Sequence, residues 1–178
     1  VEDLEAFLAD YDLGKLLSYK GIAEGVENSN FLLHTDAGYF ILTLYEKRVA
    51  AADLPFFLGL MEHLAARGII CPQPVKTKAG DTLGEVCGRP AAIVTFLDGM
   101  WMRRADAKHC AAVGEALARL HLAGKDFKLR RANALSVAGW RPLFESCGDR
   151  IDDLQHGMAA TIRHELDALE KSWPRGLP

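Results

Sequence analysis

The sequence predicts an α+β fold in which an antiparallel sheet with one packed helix comes first and a helical portion follows. Three observations carry this. Residues 30–35 and 39–45 are runs rich in β-forming side chains that flank Asp36-Ala37-Gly38, a hairpin signature. Residues 91–97 are almost wholly apolar, as in a strand buried on both faces, and Asp98-Gly99 ends them. Beyond that point no further strand is predicted, and apolar residues recur at spacings of three and four.

Taken in order, residues 2–10 alternate apolar and acidic positions at helical spacing, with Leu4, Phe7 and Leu8 on one side, and predict a short amphipathic helix. Residues 16–22 are the strand that pairs with the hairpin. Between them lie residues 23–30, AEGVENSN, too polar and too dependent on glycine for a strand, so the spacing predicts a turn rich in free donors. Asp53-Leu54-Pro55 predicts a helix start with a capping aspartate, Phe57, Leu60, Met61 and Leu64 its apolar stripe, and Arg67-Gly68 its end. The two prolines of Cys71-Pro72-Gln73-Pro74 require extended chain. Residues 75–77 and 82–86 predict a second hairpin around Ala79-Gly80-Asp81.

In the helical portion, Asp106 caps a helix with Cys110, Val113, Leu117 and Leu120 as its stripe, ending near Ala123-Gly124. A polar loop with Asn133, Ser136 and Gly139 leads to a short helix over 140–147, Pro142 in its first turn. A last helix is predicted over 149–173, with Ile151, Leu154, Met158, Ile162, Leu166 and Leu169 on one face. The division falls at 97–99, giving a lobe over 1–97 and a second portion over 98–178.

The chain of 178 residues suffices for one domain or two small lobes. Its net charge of -3 and scattered basic residues exclude the positive stripe of a nucleic-acid binder. No apolar run reaches the roughly 20 residues that span a bilayer, and no leader pattern opens the chain, so a cytoplasmic location is the expectation. Cys71, Cys87, Cys110 and Cys147 form no C-x-x-C pair and predict reduced thiols, mostly buried. The start at Val1 and the stop at Pro178 read as a piece of a longer protein.

Several familiar sites are excluded. Gly124-Lys125 has Arg119 where a phosphate loop needs its first glycine, and His164-Glu165 is followed by Ala168 where a zinc helix needs its second histidine. Neither a G-x-S-x-G elbow nor a G-x-G-x-x-G loop occurs. The 23–30 turn has two readings. Glycine and the donors of Asn28, Ser29 and Asn30 can close over a polyphosphate, or those side chains can bond their own backbone in an ordinary surface turn. His121, the carboxylates Asp152, Asp153, Glu165 and Asp167, and Trp101 and Trp140 read more simply as structural or solvated residues.

The order of these features resembles the amino lobe of the kinase-like fold. The match is carried by residues 25–31, GVENSNF, the strand 40–44, the helix end Ala66-Arg67-Gly68, the linker 94–99, VTFLDG, and residues 113–121, VGEALARLH. Longer stretches, YKGIAEGVENSNFLLHT, ILTLYEKR, DLPFFLGLMEHLA, KHCAAVGEALARLHLA and RANALSVAGW, are similar nearly end to end to bacterial homoserine kinases of the aminoglycoside phosphotransferase-like family.

That resemblance implies a protein-kinase-like α+β fold, ATP with Mg2+, and L-homoserine as the small-molecule acceptor in threonine biosynthesis, with no nucleic-acid or membrane partner and the oligomeric state left open. By position it places Gly25, Asn28, Ser29 and Asn30 near the phosphates, Thr43 at the phosphate-contact position of the following strand, and the Thr95 carbonyl and Leu97 amide against adenine. Asn133 and Ser136 are candidates for the acceptor pocket, or simply bond within their loop. Two departures stand out. Kinases of this fold pair a strand lysine with a helix glutamate; Thr43 and Phe57 occupy those positions here, leaving Lys47, Arg48 or a residue outside the chain to offset phosphate charge. The catalytic loop and both metal-binding side chains are implied beyond Pro178, so the chain by itself is expected to be inactive. A kinase for choline or an aminoglycoside, and a non-catalytic nucleotide-binding module, are the alternatives.

Overall fold

The computed structural model describes residues 2–23, 27–46, 50–133 and 135–174. They fall into two compact units, Val1–Arg130 and Arg131–Pro178.

In the first unit, helix α1 (Glu2–Leu8) precedes strands β1 (Leu16–Ile22), β2 (Asn28–Thr35) and β3 (Gly38–Tyr45). Helix α2 (Leu54–Ala65), strands β4 (Gly84–Val86) and β5 (Arg89–Thr95) and helix α3 (Ala107–Gly124) follow. The five strands form one antiparallel sheet in the order β1-β2-β3-β5-β4. The β2–β3 hairpin closes where predicted: Thr35 pairs with Gly38, and the Thr35 hydroxyl accepts from the Ala37 amide and donates to the Gly38 carbonyl.

Helix α1 contributes much of the core. Leu4, Phe7 and Leu8, with Tyr11 and Leu13, pack on Leu33, Leu42, Val86, Ala91 and Ile93 from one face of the sheet. Each such apolar side chain contributes about 1.5–3 kcal/mol on full burial. The fit is close at Gly84, where a Cβ would stand 2.7 Å from the Phe7 ring, so glycine admits the helix to the sheet edge.

The second hairpin differs from the one predicted. Residues 74–77 make only isolated bridges, Pro74 with Val94 and Thr77 with Tyr11, while β4 pairs with β5 around Cys87-Gly88. Both turn residues are left-handed, φ 51° and 73°, the geometry that suits a tight turn between twisted antiparallel strands. Cysteine at the first position hid it. The Ala79-Gly80-Asp81 segment does turn, with Thr77 N–H donating to the Asp81 carbonyl, but it links bridges instead of strands.

Helix α2 begins from a 3-10 turn (Ala51–Asp53), with Asp53 itself in α conformation and making no side-chain cap hydrogen bond. It ends as predicted: Gly68 is left-handed and the Ile69 amide reaches back to the Leu64 carbonyl. Helix α3 starts from a reciprocal cap, Asp106 accepting from the His109 amide while its own amide donates to His109 Nδ1. The two helices are tied at His63, whose Nε2 lies 2.9 Å from the Ala123 carbonyl, and at Arg67, which pairs with Asp126. None of α3 is buried, however; Val113 and Leu117 are 58% and 50% exposed, because no described residue of this unit covers their side. Of the cysteines, Cys87, Cys110 and Cys147 are exposed and Cys71 is half-buried, against the burial predicted.

In the second unit, α4 (Val137–Ser146) starts three residues earlier than predicted, so Pro142 lies inside it. Trp140 anchors the segment by donating to the Leu135 carbonyl and meeting the Trp173 ring edge-on. The single long helix predicted over 149–173 is broken: a 3-10 turn (Gly148–Asp153) and then α5 (Met158–Ser172) are separated at Gly157, which is left-handed. Asp152 accepts from the Ala159 amide and restarts the helix. Arg141 on α4 binds Asp167 and Glu170 on α5. Ile151 and Leu166 are buried, whereas Leu154 is 81% exposed.

Candidate functional site

The segment predicted as a turn over 23–30 is shorter than that: β2 already begins at Asn28. Pairing explains the extension, since Asn28, Ser29 and Asn30 lie opposite Tyr45, Leu44 and Thr43 in continuous register, and ladder hydrogen bonds outweigh their weak strand preference. Gly25, Lys47 and Arg48 lie outside the described residues.

Strand alternation sorts these side chains. Phe31 and Leu33 face the α1 core, as do Leu42 and Leu44 on β3, and Ser29 belongs to that set. Its hydroxyl donates to Glu46 Oε1 at 2.7 Å, and Arg89 Nη1 reaches the same oxygen at 2.9 Å. Asn28, Asn30 and Leu32 therefore share the opposite face with Ile41, Thr43 and Tyr45 of β3, Ala92 and Val94 of β5, and Lys20 and Ile22 of β1.

That face changes character along its length. At the end nearer the segment after β5 stand Leu32, Ile41 and Val94, with His34 stacked on Tyr39 at 4.5 Å and Tyr39 against Phe96 at 6.0 Å. Tyr39 and Phe96 are 50% and 40% exposed. At the other end Thr43 Oγ1 donates to Asn30 Oδ1 at 2.9 Å, and Asn28 Oδ1 is buried with no partner among the described residues. Burial pushes the Tyr45 hydroxyl above its ordinary pKa, so it stays neutral there. The pairing levels of Thr95 and of Asn28 are five residues apart on β3, roughly 17 Å. An apolar and aromatic end joined to a donor-rich end over that span can take a flat base and an anionic chain attached to it.

The structure brings together Asn28, Asn30 and Thr43 and leaves Ser29 on the other face. Thr95 ends β5; its amide donates to the Gln73 carbonyl and its hydroxyl accepts from the Gln73 amide, while Leu97 follows, 42% exposed. In the second unit, Asn133 Oδ1 accepts from the Leu135 amide, and Ser136 stands at the start of α4 with no side-chain cap hydrogen bond. Among the described residues no group of three His, Cys, Asp or Glu side chains could hold a metal ion, and no helix is long and apolar enough to cross a membrane. Sequence reasoning missed Glu46 and Arg89, because the contact joins residues 43 apart and carries no local signal.

The family described as phosphotransferase enzymes matches residues 18–178. The chain is 67% identical over 177 residues to the homoserine kinase of Afipia carboxidovorans, and 64% identical over 177 residues to that of a Methylobacterium species. Each match covers 99% of this chain but 54% and 55% of those proteins, so the chain spans about half the length of the curated relatives it matches. Among solved structures it is similar to spectinomycin phosphotransferase in complex with ADP and spectinomycin, with a TM-score of 0.71 at 14% identity, covering 99% of this chain and 58% of that one. It is also similar to an aminoglycoside phosphotransferase from Alicyclobacillus acidocaldarius, with a TM-score of 0.57 at 17% identity, covering 95% and 53%. The chain belongs to the phosphotransferase enzyme family and has the kinase-like fold of the aminoglycoside phosphotransferases.

Proposed function

We propose that the parent protein of this chain transfers the γ-phosphoryl of ATP to the side-chain hydroxyl of L-homoserine, giving O-phospho-L-homoserine for threonine biosynthesis in the cytoplasm. The observation that carries this reading is 67% identity over nearly the whole chain to a protein named homoserine kinase. Residues 1–97 would form the nucleotide-binding lobe and 98–178 the linker and first helices of the second lobe.

In this reading adenine lies against Leu32, Ile41 and Val94 near Thr95 and Leu97, and the phosphates extend toward Asn28 and Asn30. The fit rests on the apolar-to-polar gradient of the face. This chain's part is to bind and orient the nucleotide, which in phosphoryl transfer is a large share of catalysis. Magnesium, which offsets charge on the transferring group in such reactions, finds no ligand set among the described residues.

The test is an ADP-release assay on the full-length parent with L-homoserine, choline and an aminoglycoside as acceptors. Turnover with L-homoserine is expected. Strong turnover with another alcohol and none with L-homoserine would refute the assignment.

A further inference from the structure

We propose that Thr43 is a positioning residue that holds the Asn30 side chain so that its NH2 group, a neutral donor, grips the phosphate chain of the nucleotide. The proposal deepens the nucleotide-binding reading above and rests on it. Asn30 and Thr43 are direct cross-strand partners on the face turned away from the α1 core. The Thr43 hydroxyl donates to Asn30 Oδ1 at 2.9 Å, which occupies the acceptor end of the amide. Both Nδ2 N–H groups are left without a protein acceptor among the described residues.

Asn28 stands two residues along the same face. The two residues are about 7 Å apart along one strand. Meanwhile the carboxylate of Glu46, the acid nearest in the ladder, is kept on the opposite face by Ser29 and Arg89. The arrangement offers donors to an anion and keeps that carboxylate off their face. A β-branched hydroxyl suits the task, because threonine in a strand has few rotamers and the hydroxyl is held in place. An amide whose oxygen is already engaged presents its N–H groups without first reorganising, which is how a neutral donor gains strength toward a phosphate.

The experiment follows the side-chain amide resonances of Asn30 and the methyl resonances of Leu32 and Ile41 in the full chain. The probes are inorganic tripolyphosphate, adenosine and a non-hydrolysable ATP analogue. Tripolyphosphate is expected to move the Asn30 NH2 signals. Thr43→Val should weaken binding of the analogue about tenfold while leaving adenosine unchanged, and Thr43→Ser should restore it. Asn30→Asp keeps the acceptor for Thr43 but replaces the NH2 by an anionic oxygen, and should weaken the analogue further. Intact sheet signals in Thr43→Ser and Asn30→Asp guard against misfolding.

Undiminished binding in Asn30→Asp, or in Thr43→Val, overturns the proposal. If the analogue moves the Leu32 and Ile41 methyls but not Asn30, this proposal alone falls. If it moves none of them, the nucleotide-binding reading falls and the proposal with it.

Discussion

Replacing Gly14 by alanine strikes the clip that starts β1. The Lys15 amide donates to Asp36 Oδ1 at 2.8 Å, and the Asp36 amide donates to the Lys15 carbonyl at 3.1 Å, fastening the head of β1 to the β2–β3 turn. Gly14 has φ +72°, and a Cβ there would collide with Asp36 Oδ1. A left-handed alanine costs about 1–2 kcal/mol, and displacing the carboxylate forfeits an exposed hydrogen bond worth about 1 kcal/mol. The expected loss is therefore about 2–3 kcal/mol, a sizeable part of the roughly 5–15 kcal/mol that holds an ordinary domain. It should fall on β1, an outer strand whose residues after Leu16 are all exposed and which depends on its ladder to β2. Hydrogen exchange reads this directly: β1 amides should exchange about 30–150 times faster in Gly14→Ala, with amides of β5 much less affected. Asp36→Ala, which removes the clip without straining the backbone, should show only the smaller part. Exchange of β1 in Gly14→Ala within twofold of the parent would refute the reasoning.

Tyr11 is 4% exposed and its hydroxyl has no partner among the described residues, so Tyr11→Phe should stabilise the first unit by up to about 1 kcal/mol in urea unfolding, and a loss of stability would contradict the burial described. Burial, aided by Asp10 and Asp81, pushes the Tyr11 hydroxyl up to about 12; a raised value means stability is present below the unfolded pKa of about 10 and drains away as pH rises through the folded one, so phenolate absorbance should lag there in the parent. The Arg67 hydrogen bond holds the Asp126 carboxyl below the usual range. A lowered value stabilises above the ordinary pKa of about 4 and is lost as pH falls through the folded one, so Asp126→Asn should be the less stable protein near neutrality and match the parent in strong acid. Glu46→Ala should cost within about 1 kcal/mol, since its pair with Arg89 is partly solvated, while quickening amide exchange at Ser29; unchanged exchange there would show that the contact does not hold the strand end.

Where local chemistry decides structure, the sequence was legible. The β2–β3 hairpin, the glycine end of α2 and the Asp106 cap of α3 each follow from a few adjacent residues whose side chains bond or turn their own backbone. Where partners distant in the chain decide, it was not. Asn28 and Ser29 look like turn residues until Tyr45 and Leu44 pair with them. The 75–77 run looks like a strand, but β5 has already taken β4 as its partner on that side through a turn opened by a left-handed cysteine. A single glycine, Gly157, split a helix that periodicity joined.

The candidate site divides the same way. Residue types nominated Asn28, Ser29 and Asn30, and the resemblance added Thr43, but only the register shows that Ser29 faces Glu46 while the other three share a face. Composition could not reveal the gradient from Leu32 and Ile41 to Asn28, because it runs along alternate residues of β2 and β3 and emerges only when the register puts them on one face. The uncovered stripe of α3 likewise has a cause outside the local sequence: its apolar side finds no cover among the described residues of the first unit.

The most direct test of the account is a crystal structure of this chain with a non-hydrolysable ATP analogue. The account predicts the base against Leu32, Ile41 and Val94, with phosphate oxygens within hydrogen-bond distance of the Asn30 amide nitrogen. Density for the analogue on the α1 face, beside Ser29 and Glu46, or elsewhere with this face bare, would contradict it.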